Sequence, residues 1–247
     1  MEIGARSTVS RDRARQHVFF PLLWFIIMTS FISLLLPLAD ALIVAPPPPG
    51  RVVALGDLHG DFQATTRVLR TAQLIDEEHS WIGGDATLVQ LGDILDRGTE
   101  ERMLWDFFVR LREEAPLAGG KIVTLLGNHE VLNALGQAGN FVHPAGREQF
   151  GEDRCAAFMP GSEYATLLAD CPVVAIVGSS VFSHASLPAT ATRESLAELN
   201  AETRKWLLGE RPDAPYDLCH MGRDSPVWDR TFSNPHDRSV GYAHCMA

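Results

Sequence analysis

Three short blocks constrain this chain more than anything else in it: Gly56-Asp57-Leu58-His59-Gly60-Asp61, Gly92-Asp93-Ile94-Leu95-Asp96-Arg97-Gly98 and Gly127-Asn128-His129-Glu130. Each follows an apolar, β-branched-rich run (Val52 to Leu55, Ala86 to Leu91, Lys121 to Leu126), so each reads as the loop leaving the end of a strand. All three loops then open on one rim of a sheet. Together they bring histidine, asparagine and carboxylate donors, a mixed nitrogen and oxygen set that suits a pair of divalent cations. The glycines supply positive φ or a close backbone approach at low steric cost. A single Gly-Asp-x-His is ordinary turn chemistry. Three blocks in succession, each behind a strand, are not.

Between the blocks the chain has helical periods. Asp61 is an N-cap candidate for a helix running to Leu74, and a second helix is expected over about Thr99 to Glu114, with Met103, Leu104, Phe107, Phe108 and Leu111 as its buried stripe. A third, short helix begins within His129 to Leu135. This alternation is the signature of an α/β fold. Val173 to Val177 and Val181 to Ser183 read as a hairpin across Gly178-Ser179-Ser180, leading into Ser183-His184-Ala185-Ser186-Leu187. The stretch Gly136 to Tyr164 has no period; it is expected to be either a lid or substrate-selecting surface, or an ordinary surface excursion.

The charge balance is acidic, with 21 Lys+Arg against 31 Asp+Glu. No basic tract is long enough to follow a phosphodiester backbone, which argues against nucleic acid as a partner. Arg6, Arg11, Arg13 and Arg15 precede an uncharged apolar run from Val18 to Ala39, and Ala39-Asp40-Ala41 offers a cleavage site. Residues 1–41 therefore read as a cleaved signal peptide or an uncleaved membrane anchor, either of which delivers the body into the secretory pathway. Residues 42–50, with Pro46 to Pro49, read as a stiff linker, and 51–247 as the functional domain. Four cysteines, at 155, 171, 219 and 245, form no C-x-x-C pair. In a secretory lumen they allow two disulfides, while Cys171 beside an apolar run reads as a buried free thiol.

The three blocks resemble the phosphoprotein phosphatase (PPP) family of calcineurin-like metallophosphoesterases, which carry Gly-Asp-x-His-Gly, Gly-Asp-x-x-Asp-Arg-Gly and Gly-Asn-His-Glu in that order. Asp61 after the first block and Trp228-Asp229-Arg230 late in the chain resemble the Shewanella-like branch. The fold this implies is a central β-sandwich flanked by α-helices. The resemblance also implies that Asp57, His59 and a bridging Asp93 hold one divalent ion, and that Asp93, Asn128 and His184 contribute to a second. The metals would be manganese, iron or zinc. By the same resemblance Arg97 and Arg230 anchor phosphate, His129 is the general acid and Asp96 orients it, while Glu130 supports the loop.

The implied activity is hydrolysis of a phosphorylated protein or another phosphomonoester by a metal-bridging water, without a covalent phosphoenzyme. A diadenosine polyphosphate hydrolase is the alternative activity. The family's further metal-binding histidine lies in a Gly-His block after the Trp-x-Arg, which neither His236 nor His244 matches. A C-terminally incomplete domain, and with it an impaired phosphatase acting as a binding protein, is therefore a further expectation.

Overall fold

The apolar runs behind the three blocks pair as parallel strands. The computed structural model describes residues 43–45, 50–222 and 224–231. The arginine-flanked apolar run, Pro46 to Pro49, His236, His244 and Cys245 lie outside the described residues. Strand β1 spans Ile43–Ala45, β2 Val52–Leu55, β3 Thr87–Gln90 and β4 Lys121–Thr124. One sheet has the order β2-β3-β4, all parallel, with Val53 opposite Leu88 and Leu88 opposite Ile122. Because the strands are parallel, their C-terminal ends share one edge, and the three Gly-Asp/Asn blocks emerge there together. Strand β3 is buried along its whole length, its polar ends Thr87 and Gln90 included, so it shows no alternation of buried and exposed residues.

The connections are helical, as parallel strands require. Helix α1 (Phe62–Thr71) starts where the sequence places it: Asp61 is the N-cap and accepts from the Ala64 N–H at 2.8 Å. Helix α2 spans Glu101–Leu117. Its buried face carries Leu104, Trp105, Phe107, Phe108, Leu111 and Ala115, whereas Met103, expected in the stripe, is 51 % exposed. Trp105 sits on the core side of the helix instead, next to Leu104. Helix α3 (Asn128–Ala134) begins at the third block.

The second sheet has the order β1-β5-β6, with β5 (Val174–Val177) and β6 (Ser180–Ser183) antiparallel. The turn between them is the two-residue Gly178-Ser179, with Gly178 at φ 63°. Val89 and Val123 of the first sheet pack with Ala175 and Val177 of the second, so two sheets close on one another as a sandwich. Residues 42–50, a linker by sequence, contain strand β1, whose Ile43 to Ala45 pair with Ala175 to Val177. The β-branched pair Ile43-Val44 is the cue that the prolines after it obscured.

The excursion 136–164 is built into the body. It contains a 3-10 turn at Pro144–Gly146 and helix α4 (Arg154–Phe158), and it runs into helix α5 (Glu163–Leu168). Phe150, Phe158 and Tyr164 pack together with centroids 4.9–5.2 Å apart. Helix α6 (Arg193–Leu207) docks on β5 through Asn200, which accepts from the N–H groups of Val173 and Val174 and donates to the Val174 carbonyl. A short helix α7 (Tyr216–Cys219) precedes the Trp228-Asp229-Arg230 segment. Cys155, Cys171 and Cys219 are free thiols, with only Cys171 buried. No helix among the described residues is long and apolar enough to cross a membrane.

Candidate metal centre and active site

The loop backbones are bent to bring the side chains in. His59, Asp93, Asp96 and Arg97 all sit at positive φ (44°, 57°, 67° and 66°), a region that non-glycine residues rarely occupy and that clusters at functional sites. The loops also press against each other. A Cβ on Gly127 would come within 2.2 Å of Asp93 Oδ1, and one on Gly98 within 2.1 Å of the His59 carbonyl, so no larger residue fits at either contact.

Glu130 holds the second and third loops together. Its buried carboxylate accepts the N–H groups of Asp93 (2.8 Å), Ile94 (2.9 Å), Leu95 (3.1 Å) and Gly127 (2.8 Å). This is the supporting role its place in the block suggests. Burial, joined by the charge of Asp93, pushes Glu130 up to about 7 against the pull of those backbone donors. Gln90, which the sequence did not mark, fixes the bend at Gly92 by donating to its carbonyl and accepting from its N–H.

At the centre stands Asp93, 2 % exposed. Its Oδ2 lies 3.6 Å from His59 Nε2, 3.6 Å from His184 Nε2 and 4.0 Å from His129 Nε2. The tautomers of two of these rings follow from their other nitrogens. His59 Nδ1 is 2.9 Å from the Leu95 carbonyl and His184 Nδ1 is 2.9 Å from the Leu91 carbonyl. A carbonyl can only accept, so each Nδ1 carries a proton, and in the neutral ring it is Nε2 that presents a lone pair. The His59 lone pair faces Asp93 and, at 3.8 Å, Asp57 Oδ2; that of His184 faces Asp93 and, at 2.9 Å, Asn128 Oδ1. Arg230 Nη2 donates to the same Asn128 oxygen at 3.3 Å. Lone pairs and carboxylates converging this way repel unless cations stand between them, and each histidine is oriented from behind as metal ligands are.

The donors fall into two groups sharing Asp93: His59, Asp93 and His129, and Asp57, Asp93 and His184, with the ligand atoms of each group within 4.8 Å of one another. The residue types and their spacing fit two divalent cations bridged by one carboxylate. The grouping departs from the expected one: His129, expected as the general acid, stands with His59 and Asp93, and Asp57, expected beside His59, stands with His184.

His129 also belongs to a second unit. It is 1 % exposed; its Nδ1 donates to Asp96 Oδ2 at 2.7 Å, and its Nε2 is 3.1 Å from Arg97 Nη2. Burial lowers its pKa, but the hydrogen bond it donates to Asp96 and the charges of Asp93, Asp96 and Glu130 outweigh this and leave it raised. The exposed ring of Phe141 packs edge-on against His129 at 5.1 Å, and the Phe141 carbonyl accepts the Arg97 N–H. Ala185 and Ser186, directly after His184, donate their N–H groups to the Pro226 and Asp229 carbonyls and so tie the His184 loop to the segment bearing Arg230. Within that segment Trp228 packs beside Leu132, Ala138 and Val142, and the Asp229 carboxylate accepts from Asp224 and Thr231.

Sequence reading missed what stands behind Asp96. Arg154, Asn133 and Glu101, from three separate elements, all bond to it. No motif or period marked them; only an Arg in an aperiodic stretch and a Glu on the core side of a helix gave any sign.

A two-sheet sandwich with a metal-binding rim of this kind defines a metallophosphoesterase fold. The chain belongs to the calcineurin-like phosphoesterase family, whose model matches residues 50–240. Among its relatives is Shewanella-like protein phosphatase 2 of Arabidopsis thaliana, 34 % identical over 230 residues, covering 75 % of this chain and 59 % of that protein. Shewanella-like protein phosphatase 1 of Plasmodium berghei (strain Anka) is 32 % identical over 200 residues, covering 78 % of this chain and 54 % of that protein. The chain thus spans somewhat over half the length of these relatives. The crystal structure of a cold-active protein-tyrosine phosphatase from a psychrophilic Shewanella species superposes with a TM-score of 0.63 at 21 % identity, over 83 % of this chain and 63 % of that one. At that identity the likeness is one of fold.

Proposed function

We propose that this protein is a metal-dependent phosphatase that hydrolyses phosphomonoesters, with a phosphorylated protein as its substrate class, by direct attack of water. The observation that carries this reading is the convergence of the His59, His129 and His184 rings on the Oδ2 of one buried carboxylate, Asp93. Asp57, His59, Asp93, Asn128 and His184 would hold two divalent ions, manganese, iron or zinc. Bound there, the ions would supply Lewis acidity toward the phosphoryl oxygens and toward the attacking water.

The rest falls to the chain's own groups. Arg97 and Arg230, both exposed at the mouth of the site, offer planar guanidinium forks to phosphate oxygens and offset the charge that accumulates as the bond breaks. His129 delivers a proton to the leaving oxygen from Nε2, while Asp96 holds the proton on Nδ1 and stabilises the imidazolium form. Glu130 keeps the two loops in register and takes no part in proton transfer.

The test is hydrolysis of p-nitrophenyl phosphate and of phosphotyrosine, phosphoserine and phosphothreonine peptides by the full chain, with manganese and after chelation. Turnover that disappears with chelation and returns with metal supports the reading; metal-independent turnover, or none on any phosphomonoester, overturns it. We also propose, from the arginine-flanked apolar run alone, that the body is delivered across a membrane. Protease protection in intact microsomes checks this, and a fully digested body refutes it.

A further inference from the structure

Arg154 lies outside the three blocks yet bonds four groups behind the site, and the chemistry proposed above does not use it. Its side chain is 9 % exposed. Nη2 donates to Asp96 Oδ1 at 2.9 Å and to Glu101 Oε2 at 2.6 Å, Nε donates to Asn133 Oδ1 at 3.0 Å, and Nη1 donates to the Gly146 carbonyl at 3.2 Å. The guanidinium also lies over the rings of Phe150 and Phe158, at 4.8 and 5.3 Å from their centroids. Four of the five N–H donors of its planar fork are engaged, so its position is fixed from several sides.

The consequence falls on Asp96, which is fully buried and sits at φ 67°. Its two oxygens are divided between two partners: Oδ1 takes Arg154, and Oδ2 takes His129 Nδ1 at 2.7 Å. Asn133 Nδ2 bridges both oxygens at 3.1 Å, and Glu101 Oε2 accepts the Asp96 N–H at 2.8 Å. Without the guanidinium, the two buried carboxylates of Asp96 and Glu101 would lose the cation they share, and the Asp96 carboxylate could turn away from the histidine.

We propose that Arg154 is a positioning residue for phosphomonoester hydrolysis: it pins Asp96 Oδ1 so that Oδ2 is aimed at His129, which makes the 136–164 excursion a brace for the general acid rather than a lid. This rests on the functional reading above for the role of His129. The link from Arg154 to His129 is also measurable without turnover.

The experiment compares the full chain with Arg154→Met, Arg154→Lys, Asp96→Asn and the Arg154→Met/Asp96→Asn double variant. The readouts are manganese-supported hydrolysis of a phosphoserine peptide, whose alkoxide leaving group needs a proton, and the His129 Nδ1–H resonance of the 15N-histidine-labelled, metal-free protein. Arg154→Met should lower kcat roughly 10–100-fold, the scale of losing an outer partner of a functional group, with KM little changed. Arg154→Lys should recover part of that loss. The double variant should be no worse than Asp96→Asn alone, since Arg154 acts through Asp96. The His129 resonance should be sharp in the parent and lost in Arg154→Met.

Multiplying losses in the double variant, a loss confined to KM, parental kcat in Arg154→Met, or an unchanged resonance would each overturn the proposal. Should Arg154→Met fail to fold, Arg154→Lys decides: a point charge cannot reproduce the fork, so a reduced kcat and a shifted resonance support the proposal and parental values overturn it. A parent inactive on every phosphomonoester overturns the functional reading, while the resonance still decides the Arg154 link.

Discussion

Asp93 Oδ2 and His184 Nε2 lie 3.6 Å apart, although Asp93 follows β3 of one sheet and His184 follows β6 of the other. The site is therefore assembled across the sandwich, and its two halves meet at a single buried carboxylate.

Replacing that carboxylate tests the centre directly. Asp93→Asn removes the charge shared by both donor groups, the anion that would compensate both cations at once. Metal content by elemental analysis should fall well below that of the parent, and turnover of p-nitrophenyl phosphate should fall by more than the roughly 10–100-fold expected for losing an outer partner of a ligand. Parental metal content with parental turnover would eliminate Asp93 as the bridge.

His129→Gln separates proton donation from metal binding. If His129 protonates the leaving oxygen, its loss should matter least for p-nitrophenol, which departs readily as an anion, and most for an alkyl alcohol. A loss of roughly 10²–10⁴-fold is expected on an alkyl phosphate, with a visibly smaller one on p-nitrophenyl phosphate. Equal losses on both substrates, accompanied by loss of metal, would place His129 among the ligands instead.

Glu130→Gln should be costly for the fold. The carboxylate accepts four backbone N–H groups, and an amide presents one acceptor oxygen and an NH2 that faces donors. Leaving such buried donors unmet should cost about 3 kcal/mol in a denaturant titration. A variant of parental stability would show that the two loops do not depend on this residue.

The cysteines should divide by reactivity. Burial pushes the Cys171 thiol from its ordinary 9 up to about 11, so at pH 8 it is roughly one part in a thousand thiolate. In a Cys245→Ser background, Cys155 and Cys219 should react with a disulfide reagent in the folded protein and Cys171 only after unfolding. The same shift has a sign for stability. Below pH 9 the thiol is protonated in both states and contributes nothing; between pH 9 and 11 the unfolded chain ionises first, so stability is lost as pH rises. Cys171→Ala should flatten that alkaline limb, as read from denaturation at pH 8 and 10.5.

The sequence alone determined the rim. Three apolar runs, each ending in a Gly-Asp or Gly-Asn block, specify strands whose loops carry ligands, because strand periodicity and glycine-dependent turns are local properties written in adjacent residues. That basis marks the three blocks as a donor set and Asp61 as an N-cap; the separate roles of Asp57, His59, Asp93, Asn128 and His129 came from the resemblance of the blocks to the phosphatase family.

Only the tertiary structure decided the rest. That Ile43–Ala45 is a strand depends on Val174–Val177 being there to pair with it, since three residues carry too little pattern to stand alone. That Met103 faces water and Trp105 the core depends on the rotation of α2 against its neighbours. And Arg154, Asn133 and Glu101 close on Asp96 from three separate elements, a contact set by packing and charge compensation in the buried interior, which no spacing along the chain records.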